Sequence, residues 1–397
     1  MLMKSSNPLK ISVWASTLGA DLLTLCRFLD KREDIRLTTF VENPERFKME
    51  AGWRLDPLMS PVFQKGFSAY LHAFRHYGDI TIVDNGVPFF KTSPKLFVLW
   101  HGFGWKGPDD RNTFAFMQSR ILRWWGDPSR PNPDFRWQCF GEWDRRFRSE
   151  VSDFHSKNLV VLGSAFHDEI IKPLDKKKVA DFYPFDLMNR KTVLLAPTWH
   201  YRGVFGQWGE EWDLFKKFID FLIKKKANLI LRMHDRWRYD KSYVRQIDRL
   251  SRENPHVMIK FKDQYQDNTV DLRLADVLIT NFSSVANLFY ATGRPTVHLY
   301  PVANPDAPYR MPRMWGGVLT EKKLPTARSM WKLPLEENGG LVANSETELL
   351  SHVEKALNDP DCCKEMSRAF LKKYMLEPDG KNCKRILLEL QQFAQTS

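Results

Sequence analysis

Several features that define whole classes of protein are missing from this sequence. Its 397 residues include only five cysteines, and these form neither a CxxC pair nor a cluster with histidine. Neither a disulfide framework nor a zinc site is therefore predicted. Apolar runs such as KTVLLAPTWH fall well short of the roughly 20 residues that cross a bilayer. The N-terminus also lacks the apolar core of a secretion signal, so the chain is expected to stay inside the cell.

Three well-known motifs of nucleotide and nucleophile sites are absent as well. The chain contains no GxGxxG, no GxxxxGK[ST] and no GxSxG, which argues against a dinucleotide fingerprint, a P-loop and a hydrolase elbow. No carboxylate cluster is suited to a metal ion. We therefore predict a protein that uses no cofactor and no protein-bound metal.

The composition is that of a folded protein with a basic surface. Hydrophobic residues make up 43% and charged residues 27% of the chain, and the formal net charge is +12. Such a surface attracts polyanions, which include nucleic acid, anionic lipid and phosphorylated substrates. Charge alone does not choose among them.

Short apolar strands alternate with helical patterns along the chain. In the first half we predict strands at KISVWAS, IRLTTFV, DITIVD, KLFVLWHG and NLVVLGS, and in the second at TVLLAPT, NLILRMHD, VMIKFK, ADVLITNFSS and PTVHLY. This order predicts two α/β domains with mostly parallel sheets, comprising residues 1–185 and 186–397, and a ligand cleft between their strand ends. A helix-rich tail is predicted from about Glu346, and its final helix is expected to pack back on the first domain.

Polar side chains follow the predicted strands where parallel sheets bind ligands. They are His101, Thr198, His200, Arg232, His234, Ser283 and Ser284. One imidazole could act as a general base and the other as a general acid, because histidine titrates near neutral pH. A hydrogen-bonded packing role is the alternative for each histidine, and an ordinary helix cap is the alternative for the serines.

Six segments in order resemble the CDP-glycerol glycerophosphotransferases that build teichoic acids and related capsule polymers. They read WHGFGWKG, GSAFHDE, LLAPTW, LRMHDRW, ADVLITNFSSVANLFYATGRP and YMLEPDGKNCKRI, and they cover about Leu96 to Arg385. The resemblance implies a GT-B fold of two Rossmann-like domains with the active site in the cleft between them. It also implies transfer of a polyol phosphate from a CDP-activated donor to an acceptor hydroxyl.

The resemblance also implies roles for individual residues. His101 is similar to the catalytic base, and His234 is similar to a histidine that contacts the donor phosphates as CMP leaves. The remaining implied donor contacts are Gly102, Pro197, Thr198, Arg232, Met233, Ser283 and Ser284. Lys106 and Asp235 are predicted to contact phosphate or acceptor.

The sequence departs from the family pattern at several of these motifs. The Thr-Pro that usually follows HG is Phe103-Gly104, and the TDYSS motif reads TNFSS with Asn281 in place of the acid. The GYPRND motif reads GSAFHD without its arginine, and an expected donor-contacting acid is Leu288. These departures leave the CDP core plausible and put the identity of the polyol in doubt.

The segments SRILRWWGDPSRPNPDFRW and CFGEWDRRFRSE mix arginine with aromatic residues. Such a mixture suits an anionic membrane surface, and the resemblance implies a peripheral position on the cytoplasmic face, near a lipid-linked glycan or polyol-phosphate acceptor. The alternative is that Trp124, Trp125, Trp137 and Trp143 are core anchors between the domains. Nucleic-acid binding is not expected, since no recognised motif for it accompanies these residues.

Three functions from different classes compete. The leading one is a polyol-phosphate transferase that uses a CDP donor. Its rival is a GT-B glycosyltransferase that uses a nucleotide sugar for a capsule or cell-envelope polysaccharide. The third is a catalytically inactive scaffold or lipid-binding module, for which the two histidines would be dispensable.

Overall fold

The computed structural model describes residues 7–105, 114–198, 203–205, 208–234, 238, 240–281, 283–300, 306–315, 318–326 and 333–396. The chain divides into two compact units. The first comprises Met1–Gly104, Asp109–Lys172 and Lys372–Ser397, and the second comprises Trp105–Pro108 and Pro173–Leu371.

The first unit contains a seven-stranded parallel sheet. Its strands are β1 (Leu9–Trp14), β2 (Ile35–Val41), β3 (Val62–Gln64), β4 (Ile80–Val83), β5 (Lys95–Val98), β6 (Phe135–Cys139) and β7 (Leu159–Val161). They lie in the order β3-β2-β1-β4-β5-β6-β7, and every neighbouring pair is parallel. The strands are short, and the central ones β4 and β5 are buried along their whole length, as expected for a sheet that is covered on both faces.

Helices accompany these strands in the first unit. They are α1 (Ala20–Asp30), α2 (Pro44–Lys48), α3 (Ala51–Leu55), α4 (Phe67–Arg75), α5 (Ala115–Trp125), α6 (Glu142–Val151), α7 (His167–Ile170) and the C-terminal α14 (Asn382–Gln395). The inward side chains of α14, Ile386, Leu387, Leu390 and Phe393, join those of α1 in one hydrophobic core.

The second unit repeats the same plan. Its parallel sheet contains β8 (Lys191–Leu195), β9 (Ala227–Met233), β10 (Val257–Phe261), β11 (Val277–Thr280), β12 (Thr296–Leu299) and β15 (Leu341–Ala343), in the order β10-β9-β8-β11-β12-β15. Its helices are α8 (Glu211–Lys224), α9 (Lys241–Glu253), α10 (Thr269–Leu274), α11 (Val285–Phe289) and α12 (Glu346–Asn358), while α13 (Lys364–Tyr374) continues into the first unit's C-terminal segment. An antiparallel hairpin joins β13 (Tyr309–Trp315) to β14 (Val318–Leu324).

The predicted class of two parallel α/β sheets is confirmed. The amphipathic pattern of EWDLFKKFIDFLIK forms helix α8, which buries Leu214, Phe215, Phe218, Ile219 and Leu222. In each sheet the first strand lies between the second and the fourth, so the strand order reverses beside β1 and beside β8. Ligands of such sheets bind at the carboxyl ends of the strands next to this reversal.

Two of the four tryptophans considered for a membrane surface are core residues. Trp125 is 2% exposed and Trp137 is fully buried, and both belong to one hydrophobic cluster of the first unit. Trp137 lies on β6, a strand that sequence reasoning missed because FRWQC was interpreted as part of an aromatic and basic surface. These two residues therefore lie in the core of the first unit, whereas the alternative had placed them between the domains.

Candidate active site

His101 lies at the carboxyl edge of the first sheet. It follows β5, and its Nδ1 is 3.3 Å from the backbone oxygen of Asp84, the residue directly after β4. A carbonyl oxygen only accepts hydrogen bonds, so this contact requires the tautomer with a proton on Nδ1. The basic lone pair of the neutral ring then lies on Nε2. The side chain is exposed, so a substrate can reach it.

Asp84 ties the turn after β1 to the turn after β4. Its carboxylate accepts hydrogen bonds from the Ser16 backbone N–H at 2.7 Å, the Ser16 hydroxyl at 2.7 Å and the Thr17 N–H at 3.1 Å. The Asp84 side chain is buried. Because three donors fix the Asp84 carboxylate, the Asp84 backbone carbonyl that contacts His101 is fixed as well.

A buried arginine donates a hydrogen bond to the glycine that follows His101. Nη2 of Arg148 donates to the Gly102 carbonyl at 3.2 Å. Arg148 is ion-paired with the buried carboxylate of Asp144 at 3.5 Å, and its guanidinium lies 5.6 Å from the ring centre of Trp100. The Arg148 guanidinium on α6 therefore stabilises the turn at His101 and Gly102.

The aromatic residues that follow are buried packing residues. The Phe103 ring lies 5.0 Å from that of Trp143, and a Cβ on Gly104 would meet the Phe147 ring at 2.6 Å. The Phe103-Gly104 departure thus fits its surroundings, because a side chain at position 104 would clash. In the second unit, Trp105 packs edge-on against Phe370. Lys106 lies outside the described residues.

At the second sheet, the turns after β8 and β11 are joined by hydrogen bonds. The Thr198 N–H donates to Oδ1 of Asn281, and the Thr280 hydroxyl donates to the Ala196 carbonyl at 2.8 Å. Pro197 and Thr198 are buried here. The Ser283 N–H also approaches the Thr280 hydroxyl oxygen at 3.4 Å. These hydrogen bonds therefore link the turns that carry the predicted residues Thr198 and Ser283.

Ser283, Ser284 and His234 are half-buried at the same edge of the second sheet. Ser283 and Ser284 precede α11, and His234 directly follows β9, the strand beside β8. Asp235 lies outside the described residues, as does His200. The second unit therefore carries five of the predicted donor contacts at the ends of three neighbouring strands: Pro197, Thr198, His234, Ser283 and Ser284.

Arg232 and Met233 have packing roles in the structure. The Arg232 guanidinium donates to the Asp271 carboxylate and to the backbone carbonyls of Asp267 and Tyr265. Lys260 also bonds Asp271 at 2.7 Å, and although burial opposes the charged form, these two cations hold the pKa of Asp271 below its usual value. Met233 is 2% exposed in the hydrophobic core. Both side chains support the end of β9, which carries His234.

Two further segments of the family pattern meet each other inside the first unit. Asp168 of GSAFHDE accepts the backbone N–H groups of Asn382 and Cys383 at 3.1 and 2.8 Å, and Nδ2 of Asn382 donates to the Ser164 carbonyl. Gly163 has a positive φ of 76°, and a Cβ there would lie 2.4 Å from Asn382. These segments hold the N-terminus of α14.

Sequence reasoning missed Asp84, Arg148 and Asn281. Asp84 and Asn281 each follow an apolar strand directly, so the rule that selected His101 could have selected them. Arg148 could not be selected in this way, because the charged sequence of α6 is typical of a solvent-exposed helix and does not reveal that Arg148 is buried.

Residues 145–310 match the model of the family described as CDP-Glycerol:Poly(glycerophosphate) glycerophosphotransferase. The predicted resemblance is confirmed. The chain is a transferase resembling these enzymes, and the matched residues include the ends of β8, β9 and β11. No curated protein sequence matches the chain.

Solved structures show the same fold. The wall teichoic acid polymerase TagF aligns with a TM-score of 0.67 at 14% identity, covering 99% of this chain and 92% of that one. A TagF variant soaked with CDPG aligns with a TM-score of 0.66 at 13% identity, covering 98% and 89%. The UDP-GlcNAc 2-epimerase of Neisseria meningitidis bound to UDP-GlcNAc aligns at 0.55 with 11% identity, covering 97% and 99%. The predicted GT-B type is thereby confirmed.

Proposed function

We propose that this enzyme transfers glycerol phosphate, or a related polyol phosphate, from a CDP-activated donor to a hydroxyl of a membrane-linked glycan or teichoic-acid-like acceptor. The observation that carries the proposal is the family match over residues 145–310, because it includes Thr198, His234, Ser283 and Ser284 at the strand ends of the second unit. TagF, which shares the fold, has been studied with CDPG.

In the proposed reaction, the acceptor oxygen attacks the donor phosphorus distal to the cytidine. The bond from that phosphorus to the bridging oxygen breaks, and CMP leaves with the bridging oxygen. His101 takes the hydroxyl proton on Nε2, which is the basic nitrogen when Nδ1 donates to Asp84. Positioning and charge stabilisation supply most of the acceleration in phosphoryl transfer.

The donor contacts are assigned to the second unit. His234 stabilises the charge that develops on the leaving phosphate, and Ser283 and Ser284 donate to the diphosphate. Thr198 and Pro197 contact the nucleotide, and Gly102 lies beside the reacting phosphate in the first unit. Arg232 and Met233 act by holding β9 in place, in agreement with their buried contacts.

The reaction is proposed to need no protein-bound metal. Among the described residues, no group of three or more histidine, cysteine, aspartate or glutamate side chains is arranged to hold a metal ion. Full activity in excess chelator is the expected result, and abolished activity that Mg²⁺ restores would contradict it.

An anionic membrane surface is the proposed partner of the first unit. No helix in the described part of the chain combines the length and apolar composition that crossing a bilayer requires. A surface that we call the aromatic face nevertheless exposes large apolar side chains. Its members are Phe74, Phe89, Phe90 and Phe116, each between 38% and 65% exposed.

Basic residues are interleaved with the aromatic face. The guanidinium of Arg120 lies 4.3 Å from the ring centre of Phe116 and 5.4 Å from that of Phe89, and Arg123 lies over Trp124 at 4.9 Å. Aromatic rings at headgroup depth and arginines near anionic lipid are the pattern of a membrane-surface site. The proposed position on the inner face of the cell membrane would present a lipid-linked acceptor to the enzyme.

A donor screen tests the function directly. The purified chain is incubated with CDP-glycerol, CDP-ribitol and a panel of nucleotide sugars, each with a lipid-linked acceptor, and nucleotide release is measured. Release of CMP from a CDP-polyol is expected. Release only from a nucleotide sugar would favour the glycosyltransferase alternative, and release from none, together with H101A and H234A variants that retain biological activity, would favour the scaffold.

A further inference from the structure

The chain passes from the first unit to the second directly after Gly104. Gly104 ends the first segment of the first unit, and Trp105 begins a short segment that belongs to the second unit. Gly104 packs closely against α6, because a Cβ at this position would meet the Phe147 ring at 2.6 Å. Trp105 is only 2% exposed. Two consecutive residues, three and four positions after His101, are therefore held by different units.

The Trp105 indole packs edge-on against three rings of the second unit. The ring centres lie 5.5 Å from Phe370, 5.9 Å from His298 and 6.4 Å from Tyr290. Tyr290 contacts both of the other rings, since its hydroxyl lies 2.6 Å from Nε2 of His298 and its ring centre lies 5.0 Å from that of Phe370. The indole is thus held by a group of rings that also contact one another.

Tyr290 connects this group of rings to the proposed donor contacts. Ser284 directly precedes α11, and Tyr290 directly follows it. The chain continues without a break as a 3₁₀ helix through Thr292, and Tyr290 is 1% exposed. One short helix therefore joins Ser283 and Ser284, the proposed contacts of the donor diphosphate, to a ring that packs against Trp105.

The segment between His101 and Trp105 depends on its neighbours for a defined conformation. Two of its three residues are Gly102 and Gly104, and glycine restricts the backbone less than any other residue. On the His101 side, Nη2 of Arg148 donates to the Gly102 carbonyl at 3.2 Å. On the other side, the buried indole of Trp105 fixes the end of the segment.

We propose that Trp105 is a positioning residue for His101, because its buried indole fixes the turn that carries the imidazole and connects that turn through α11 to the donor contacts. This inference rests on the proposed function. Trp105 acts through the main chain and through His101, since an indole that is 2% exposed is shielded from the substrates. Loss of the ring should therefore misplace the base and leave the donor contacts in place.

The first test removes the indole. The kcat for CMP release and the calorimetric dissociation constant of CDP-glycerol are measured for the wild-type chain, W105L and W105F. W105L should lower kcat by about 10-fold or more, because a small misplacement of a catalytic group slows the reaction steeply, while the dissociation constant changes by less than about 3-fold. W105F keeps an aromatic ring and should retain kcat within about 3-fold. Unchanged kcat in W105L, or donor binding weakened by the factor that kcat loses, would overturn the inference.

A double-mutant cycle determines whether Trp105 acts through His101. If the indole only positions the imidazole, H101A/W105L should turn over within about 2-fold of H101A, because no imidazole remains to be misplaced. The loss caused by W105L should thus be large in the wild-type background and small in the H101A background. An equal loss in both backgrounds would assign Trp105 to folding or donor binding and would overturn the inference.

A matched variant controls for the loss of a buried aromatic contact. Phe47 on α2 is fully buried and contacts Trp53 edge-on, with the ring centres 5.5 Å apart, the same distance as between Trp105 and Phe370. F47L should lower the thermal stability, as W105L does, but should keep kcat within about 2-fold. A loss of kcat in F47L as large as that in W105L would attribute both losses to destabilisation and would overturn the inference.

Failure of the proposed function gives a different result. A wild-type chain that releases no CMP from any CDP-polyol would contradict the proposed reaction and this inference with it. A wild-type chain that releases CMP, together with a folded W105L protein that releases it equally fast, would overturn only the role of Trp105.

Discussion

The two sheets have the same strand order, yet the ends of their strands have different chemistry. In the first unit, the turns after β1 and β4 are closed by a carboxylate whose donors are Ser16 and Thr17. In the second unit, the corresponding side chain is Asn281, whose buried Nδ2 has no hydrogen-bond partner among the residues that the structure describes. This difference agrees with the proposal that the first edge supplies a base and the second edge binds an anion.

Substitution of the two histidines, the proposed base His101 and the proposed phosphate contact His234, should have the greatest effect on activity. H101A should lower turnover by about 10²-fold or more with little change in KM for the donor, because it removes the proton acceptor. H234A should lower turnover by a similar factor. Initial rates of CMP release at saturating acceptor measure both.

A matched histidine variant controls for the loss of an imidazole. His352 lies on α12, where Nε2 contacts the Val342 carbonyl, and H352A should retain turnover within about 3-fold. If H101A retained wild-type turnover while remaining folded by circular dichroism, the first edge would not be catalytic.

A buried acid in the first unit predicts a pH dependence of stability. Burial raises the pKa of Asp21 from 3.8 to about 6, although Ser164 and the Phe166 N–H donate to its carboxylate. The folded state then binds a proton that the unfolded state releases between about pH 4 and pH 6. The free energy of unfolding should therefore fall as pH rises through this window, by about 3 kcal/mol at most.

The variant D21N should remove this part of the pH dependence. Its amide oxygen still accepts from Ser164 and Phe166, but nothing titrates at this position. Urea unfolding of both proteins at pH 4.5 and pH 7.5 measures the difference. An identical fall in stability for D21N would assign the effect to another group.

Exchanging the acid for an amide at the first edge tests the comparison itself. In D84N only one oxygen remains to accept from Ser16 and Thr17, so at least one buried N–H or hydroxyl loses its partner. We expect a loss of about 1–3 kcal/mol in the free energy of unfolding, measured by urea denaturation. A D84N protein as stable as wild type would mean that the carboxylate is not needed to close this edge.

The smallest expected effect concerns the aromatic face. R120Q and R123Q should each weaken binding to vesicles that contain phosphatidylserine by about 1 kcal/mol, or roughly 5-fold, since each removes one charge near the lipid. Sedimentation with anionic and neutral vesicles measures this. K355Q on α12 in the second unit serves as a control of equal charge change, and an equal loss for K355Q would indicate an effect of net charge alone.

The sequence was sufficient to predict the fold because each sheet is made of short apolar runs with local signals. All five strands predicted in the second half are present, and α8 buries the predicted face. Five strands of the described chain were missed: β3, β6, β13, β14 and β15. In β6, FRWQC mixes charge with aromatic residues, and only the packing of Trp137 in the core distinguishes it from a surface segment.

The candidate site was predictable only in part. His101 and Ser283 could be selected because a polar residue after an apolar strand is visible in the sequence. The roles of Asp84, Arg148 and Asn281 depend on hydrogen bonds between residues 67, 46 and 83 positions apart, respectively. Arg232 was predicted to bind the donor, yet its guanidinium is occupied by Asp271 and two carbonyls, a pairing that strand position does not reveal.

In the proposed division of roles, the edge of the first sheet supplies the base and the edge of the second sheet binds the donor. Calorimetric titration of CDP-glycerol into H101A and H234A tests it most directly. The account predicts that H101A binds CDP-glycerol within about 3-fold of wild type, while H234A binds it at least about 10-fold more weakly. The reverse order of affinities, with H101A impaired and H234A unchanged, would contradict it.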